Sequence, residues 1–286
     1  MVFVKPRGPL PAGIFQDARR RLYARQNTTH KDGPPMPASA ELPLDPATFV
    51  PRFADAARAA GFKLDNFGEV QGHPLLACTK RTTGHRPRIY LSAGLHGDEP
   101  APPWALLRLM QTGFLDARCT WFVCPLLNPT GFQWRTRENF AGVDLNRDYK
   151  IPQSAEVQAH VRWLRLQPNF DLILCLHEDW EAKGFYLYEL NPLNLPTLAP
   201  TMIAAAQAHG PIETAAVIDG RESAEPGIIR PVSDPLLRDT WPEAIYLRHH
   251  HGPLDYTLET ASALPLDQRI ATQCAVVRAA SETLLK

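Results

Sequence analysis

His96 and Glu99 lie in the stretch Leu91-Ser-Ala-Gly-Leu-His96-Gly-Asp-Glu99. An imidazole and a carboxylate are two of the ligand types that a catalytic zinc ion accepts. Both follow the apolar run Ile89–Ala93, whose composition predicts a buried strand. A strand that ends at Gly94 and opens into a turn can aim the two side chains at one point. Open α/β sheets bind their ligands at such carboxyl ends. Taken alone, an H-x-x-E pair also recurs by chance as an exposed polar turn. A hydrolytic metal site needs a third protein ligand and an open position for water. A second histidine at another strand end, and a free carboxylate, would complete it.

His177 ends the apolar run Leu172-Ile-Leu-Cys-Leu176, the same structural address as His96. A histidine there is often a satisfied core or edge residue; beside the first pair it becomes the third ligand. His96, Glu99 and His177 would form a His₂Glu site with one position left for water. Glu259 follows Tyr256-Thr-Leu258, another short strand. Its plain reading is a solvated strand-edge carboxylate. Its functional reading is the general base, which takes a proton from the attacking water and later delivers it to the leaving amine. Glu178 and Asp179 are rivals. They rank lower because a carboxylate next to a strand-end ligand tends to point away from the metal. Between these sites runs Arg135-Thr-Arg137-Glu-Asn-Phe-Ala-Gly142-Val-Asp-Leu-Asn146-Arg147. Arginines in such a loop are commonly solvated. An arginine fork beside an amide, as in Asn146-Arg147, suits bidentate binding of a carboxylate. A further arginine near the metal could stabilise the oxyanion of a tetrahedral intermediate.

The elements that must hold these residues follow from pattern. Asp45 with Pro46 makes a helix start, and the helix runs through Thr48–Ala60 to Gly61. Phe62–Val70 and Leu75–Thr79 suggest a strand pair, Ala101–Met110 a helix, and Thr120–Leu127 a strand ending in the turn Asn128-Pro-Thr-Gly131. Ala155–Leu166, Thr197–Ala208 and Leu266–Leu285 read as helices, Leu172–Leu176 and Tyr256–Leu258 as strands. The alternation predicts an α/β fold: a mixed, mostly parallel central sheet with helices on both faces. Proline, 28 of 286 residues, is about twice its usual share. It gathers at Gly33-Pro-Pro-Met-Pro37 and Leu42-Pro-Leu-Asp-Pro46, so residues 1–45 are expected to form an extended arm and residues 46–286 a single catalytic domain. The run His249-His-His251 reads as a polar loop rather than a second metal site, because spaced histidines converge better on one ion.

Composition excludes several classes. Net charge is zero and no basic block stands out, which argues against nucleic acid or an acidic membrane as partner. No run is long enough to span a bilayer. The N-terminal residues lack a signal-peptide core, so a cytoplasmic location is expected. Cys78, Cys119, Cys124, Cys175 and Cys274 are odd in number and lie mostly in apolar runs. They read as buried reduced thiols, and without C-x-x-C a thiolate metal site is not expected. There is no H-E-x-x-H, no G-x-S-x-G and no P-loop.

In order along the chain, His96-Gly-Asp-Glu99, Asn128-Pro-Thr-Gly131, Arg135-Thr-Arg137, Gly142-Val-Asp-Leu-Asn146-Arg147, Leu176-His177 and Thr257-Leu-Glu259 resemble the zinc carboxypeptidase family, the group of carboxypeptidase A. The resemblance implies one Zn²⁺ held by His96, Glu99 and His177, and an oxyanion-stabilising Arg137. It implies that Asn146 and Arg147 anchor a substrate carboxylate and that Glu259 is the general base. The interval from Glu99 to His177 is shorter than in the digestive enzymes. The H-G-D-E form resembles the compact bacterial branch, with murein-peptide amidases and the succinylglutamate desuccinylase/aspartoacylase group. The family's substrate-capping tyrosine has no clear counterpart among Tyr186, Tyr188 and Tyr246. The implied function is a zinc-dependent hydrolase, a metallocarboxypeptidase acting on peptides with a free carboxylate. The alternatives are an N-acyl amino acid deacylase on the same scaffold and a non-catalytic zinc-containing module that binds peptide C-termini.

Overall fold

The computed structural model describes residues 44–286, apart from 232–233 and 235–236. The arm expected over residues 1–45 lies outside the described residues up to position 43. Asp45 caps the first helix, α1 (Pro46–Ala59), by accepting from the Ala47 N–H at 3.0 Å. The expected strand pair follows as β1 (Lys63–Val70) and β2 (His73–Lys80). Then come β3 (Arg88–Ser92), α2 (Ala101–Gln111) and β4 (Thr120–Cys124).

Asn128-Pro-Thr-Gly131 is not a simple turn. It opens a short helix, α3 (Pro129–Trp134), whose Gly131 N–H is capped by Asn128 Oδ1 at 2.9 Å. A 3₁₀ turn at Leu145–Arg147 precedes α4 (Ala155–Leu164), and β5 (Leu172–Asp179) runs three residues past its apolar stretch. The second half adds elements that periodicity does not announce: β6 (Tyr186–Leu190), the two-residue strands β7 (Val217–Ile218), β8 (Arg221–Glu222) and β9 (Ile228–Ile229), and the helix α6 (Glu243–His250). The expected helix α5 (Ala199–Gln207) lies between β6 and β7. His249 and His250 close α6 and are exposed, and His251 is its buried C-cap, so the histidine run ends a helix rather than forming a loop. The chain ends with β10 (Asp255–Ala261) and α7 (Leu266–Leu284).

One eight-stranded sheet has the order β1-β2-β4-β3-β5-β10-β6-β9. Its central strands β4, β3, β5 and β10 run parallel, with antiparallel pairings at β1–β2, β2–β4 and β10–β6. The expected mixed, mostly parallel α/β architecture holds.

Side-chain alternation divides each strand between two cores. Ile89 and Leu91 of β3, Leu172, Leu174 and Leu176 of β5, and Tyr256 and Leu258 of β10 pack with residues of α1, α2, α5 and α7. Tyr90, Ile173 and Cys175 face the opposite layer with Val157 and Val161 of α4 and Ile245 and Tyr246 of α6. That parity sends His177 and Glu259 to the α4/α6 side. It sends Glu178 to the other. All five cysteines are buried free thiols.

Candidate metal centre

The turn after β3 is held by backbone fit. Gly94 sits at φ +68°, a conformation favourable only to glycine, and its carbonyl accepts from Asn128 N–H at 2.8 Å. Gly97 packs directly on Gly131, where an added Cβ would lie 1.9 Å from the Gly131 carbonyl carbon. Asn128, fully buried, donates through Nδ2 to the carbonyls of Leu95 at 3.2 Å and Arg137 at 3.3 Å. One amide thus braces the His96 turn, the start of α3 and the Arg137 loop together.

His96, Glu99 and His177 come together at this point. Each offers one ligand atom, and these atoms lie within 4.8 Å of one another with all three residues buried. Nδ1 of His96 is 2.5 Å from Glu99 Oε1, and Nδ1 of His177 is 2.9 Å from Glu99 Oε2. The outer nitrogen of His96, Nε2, is 3.3 Å from Asp144 Oδ1. A carboxylate on the far nitrogen of a ligating imidazole is the usual support for a metal-binding histidine. The electrostatics favour a cation here. Burial opposes a charged His96, yet the Glu99 charge and hydrogen bonds with Asp144 and Glu99 carry its pKa up to about 9. Glu99 is held far below the usual carboxylate range by His96 and His177, despite its burial. The donor set, its closeness and its charge all fit a divalent ion.

Sequence reasoning gave Asp144 no role, although it stands inside the quoted loop. It caps the 3₁₀ turn by accepting from Asn146 N–H at 2.9 Å, holds His96, and accepts from Arg137 Nε at 3.0 Å. Arg137 is half-buried, with Nη1 3.8 Å from Glu99 Oε1. Asn146 gives its Oδ1 to the Glu243 N–H at 2.9 Å, and the exposed Arg147 bonds the Asn146 carbonyl at 2.8 Å.

Glu259 pairs in register with His177 across the parallel strands β10 and β5. Burial pushes its carboxyl well above the usual range; the charges of Glu99 and Asp179 add to this and His177 partly offsets it. The rivals border the same cleft but are bound to other groups. Glu178 binds Arg269 Nη1 at 2.7 Å and accepts from the first N–H of α2, at Ala101, at 2.9 Å, on the opposite face of the sheet. Asp179 accepts from Tyr186 OH and from Glu181 N–H.

A cleft of about 420 Å³ opens over the centre, lined among others by His96, Glu99, Arg137, Asn146, Arg147 and Glu259. Trp180, Tyr186 and Tyr188 line it too, whereas Phe185 belongs to the core. Tyr246 is buried in the α6 layer and does not reach it. Two arginines without a sequence signal, Arg221 from β8 and Arg238 from the loop before α6, complete the wall. Among the described residues, His96, Glu99 and His177 are the one group of three or more such donors close enough to share an ion.

A doubly flanked mixed sheet with a buried His-Glu-His cluster at its strand ends, under a cleft lined by arginine and carboxylate, defines a carboxypeptidase-like hydrolase fold. The succinylglutamate desuccinylase/aspartoacylase catalytic domain matches residues 85–284, and the chain belongs to that family. A candidate metallopeptidase from Shewanella amazonensis SB2B superposes with a TM-score of 0.73 at 26% identity, over 82% of this chain and 92% of that one. A metallo-carboxypeptidase from Burkholderia cenocepacia shares the fold, with a TM-score of 0.65 at 18% identity, over 85% of this chain and 69% of that one. Carboxypeptidase E of Caenorhabditis elegans is 30% identical over 139 residues, 38% of this chain and 29% of that protein. The match therefore spans under a third of that relative's length.

Proposed function

We propose that this chain is a zinc-dependent hydrolase that cleaves an amide bond next to a free carboxylate, acting as a carboxypeptidase on peptides. The observation that carries the reading is one cleft lined by His96 and Glu99 of the buried His-Glu-His cluster, by a carboxylate in register with His177, and by an amide–arginine pair. His96, Glu99 and His177 would hold the ion. Zinc bound there would supply Lewis acidity, polarising the scissile carbonyl and easing deprotonation of water.

The chain's own residues do the rest. Asn146 and Arg147 bind the substrate's free carboxylate through neutral and charge-assisted hydrogen bonds, which orients the amide. Arg137, steadied by Asp144, places positive charge beside the developing oxyanion. Glu259 accepts the proton of the attacking water and passes it to the leaving nitrogen. Asp144 keeps the His96 ring oriented through its far nitrogen. Residues 46–286 form the catalytic domain.

A second reading is an N-acyl amino acid deacylase for acidic amino acids. Arg221 and Arg238 favour it. They bring further positive charge to the cleft that Arg147 lines, and Arg147 and Arg221 make no ion pair with a carboxylate among the described residues. Such a set suits a substrate with two carboxylates.

The test is turnover of C-terminally free peptides, their amides and N-acyl amino acids by wild-type protein and Glu259→Gln, each with and without chelator. Glutamine keeps the size and cannot take the proton. General acid–base groups contribute about 10²–10⁴-fold, so turnover should fall at least about a hundredfold while zinc and substrate still bind. Near-normal turnover in the variant would remove Glu259 from the mechanism. Wild-type protein that binds zinc and peptide but hydrolyses nothing would favour a non-catalytic binding module.

A further inference from the structure

The hydrogen bonds beneath the cleft converge on Glu243, a residue with no sequence signal and no place in the chemistry above. Glu243 opens α6, and its neighbours Pro242, Ala244 and Ile245 form part of the cleft wall. Its own side chain points away from the cleft and is 1% exposed. Oε1 accepts from Tyr90 OH at 2.8 Å and Oε2 from Ser92 Oγ at 2.9 Å. Both donors stand on β3, the strand that delivers His96. The backbone N–H of Glu243 donates to Asn146 Oδ1 at 2.9 Å. One residue therefore ties the ligand-bearing strand to an amide that lines the cleft.

That last bond fixes which way the amide faces. A backbone N–H can only donate, so the Asn146 atom opposite it is the oxygen, and the NH₂ group is left for the cleft. A carboxylate offers only acceptors, so this orientation binds it and the flipped one repels it.

The side chain of Glu243 is itself held by a chain of hydrogen bonds with one direction. Burial drives the His160 pKa down to about 3, so the ring is neutral, with one donor and one acceptor nitrogen. Tyr90 gives its hydrogen to Glu243, so His160 Nε2, 2.9 Å away, donates to the Tyr90 oxygen. His160 Nδ1 then accepts from Tyr149 OH at 2.8 Å. With Glu243 as the acceptor, every bond runs from Tyr149 through His160 and Tyr90 to Glu243.

We propose that Glu243 is a positioning residue for substrate: it locks the start of α6 to β3 and so holds the Asn146 amide with its NH₂ group toward the substrate carboxylate. The proposal rests on Asn146 anchoring that carboxylate. The experiment is a double-mutant cycle of Glu243→Gln with Asn146→Ala, measuring kcat and KM on the free-acid peptide that the wild-type enzyme cleaves best. Zinc content and Tm are recorded for each protein. Glu243→Gln should raise KM about three- to tenfold, in keeping with a misplaced hydrogen bond, with kcat within about twofold of wild type. The same change should add nothing once Asn146 is alanine. An equal rise in both backgrounds, a loss confined to kcat, or no change in KM would overturn the positioning role. If Asn146→Ala alone leaves KM unchanged, the anchoring role fails first and this proposal falls with it. Should Glu243→Gln not fold, Ser92→Ala removes one of the hydrogen bonds to its carboxylate, and the same lack of additivity is expected with a smaller rise.

Discussion

At the residue scale, the centre depends on three donors that do not function as separate parts. His96 and His177 each contact a different oxygen of Glu99, so removing either ring strips a ligand and leaves a buried carboxylate with one fewer partner. His96→Ala and His177→Ala should each lose the metal, as read by elemental analysis of purified protein. Full zinc occupancy in both variants would sink the ligand assignment. Arg147 sits apart from this cluster, exposed on the cleft wall. Losing a charge-assisted fork to a substrate carboxylate costs about 1.5–3 kcal/mol. Arg147→Ala should therefore lower kcat/KM on free-acid substrates and narrow the gap to their amides. Wild-type enzyme that cleaves acid and amide equally well would contradict the anchoring role.

At the scale of elements, the site is a set of strand ends and the turns packed against them. β3 and β5 bring their histidines to the same edge of the parallel sheet, and β10 brings Glu259 into register with His177. α3 then presses on the metal-bearing turn through Gly97 and Gly131. In Gly97→Ala the new Cβ would lie 1.9 Å from backbone that no rotamer change can move. The turn has to retreat, and it takes His96 and Glu99 with it. Overpacking of this kind costs about 1–3 kcal/mol. Gly97→Ala should accordingly lose both zinc affinity and resistance to denaturant, measured on metal-loaded and chelated protein. A variant with unchanged zinc affinity would show that the close approach of the two glycines does not support the site.

For the whole molecule, burial encloses an ionisable group without a hydrogen-bond partner. Asp255 of β10 is fully buried, and its carboxyl has no hydrogen-bond partner among the described residues. Burial raises its pKa well above the ordinary value, and the charge of Glu243 adds to the effect. The unfolded chain releases this proton near pH 4, whereas the folded chain keeps it. Above that point the folded state binds more protons than the unfolded one, so this group makes stability fall as pH rises toward the folded pKa. Asp255→Asn removes the titration. The stability difference in favour of the variant should widen between about pH 4 and pH 8, as followed by denaturant unfolding. A difference that stays constant with pH would mean that Asp255 does not hold a proton in the fold. None of the helices among the described residues is long and apolar enough to cross a membrane.

Much of this protein was legible in local sequence. Apolar runs leading to His96, His177 and Glu259 marked the strands because a buried parallel strand is a short continuous apolar stretch, although β5 and β10 run two residues past His177 and Glu259. The sidelining of Glu178 also followed from local geometry, since successive residues of a strand point to opposite faces, and in the fold it meets Arg269 and α2. Asn128-Pro-Thr-Gly131 was readable as a break but not as a helix, because six residues carry too little period. The histidine run reads as a loop because α6 has no clear apolar stripe; the helix is fixed by Glu243 at its start. Only the tertiary structure decided what these parts do to one another. Strand order put β10 beside β5. Loops remote in sequence brought Asp144 to His96, Arg221 and Arg238 to the cleft, and Glu243 to Asn146. Such contacts join residues far apart in the chain; Tyr90 and Glu243 lie 153 positions apart. They leave no periodic trace, because sequence patterning records which face of an element is buried and not which partner covers it.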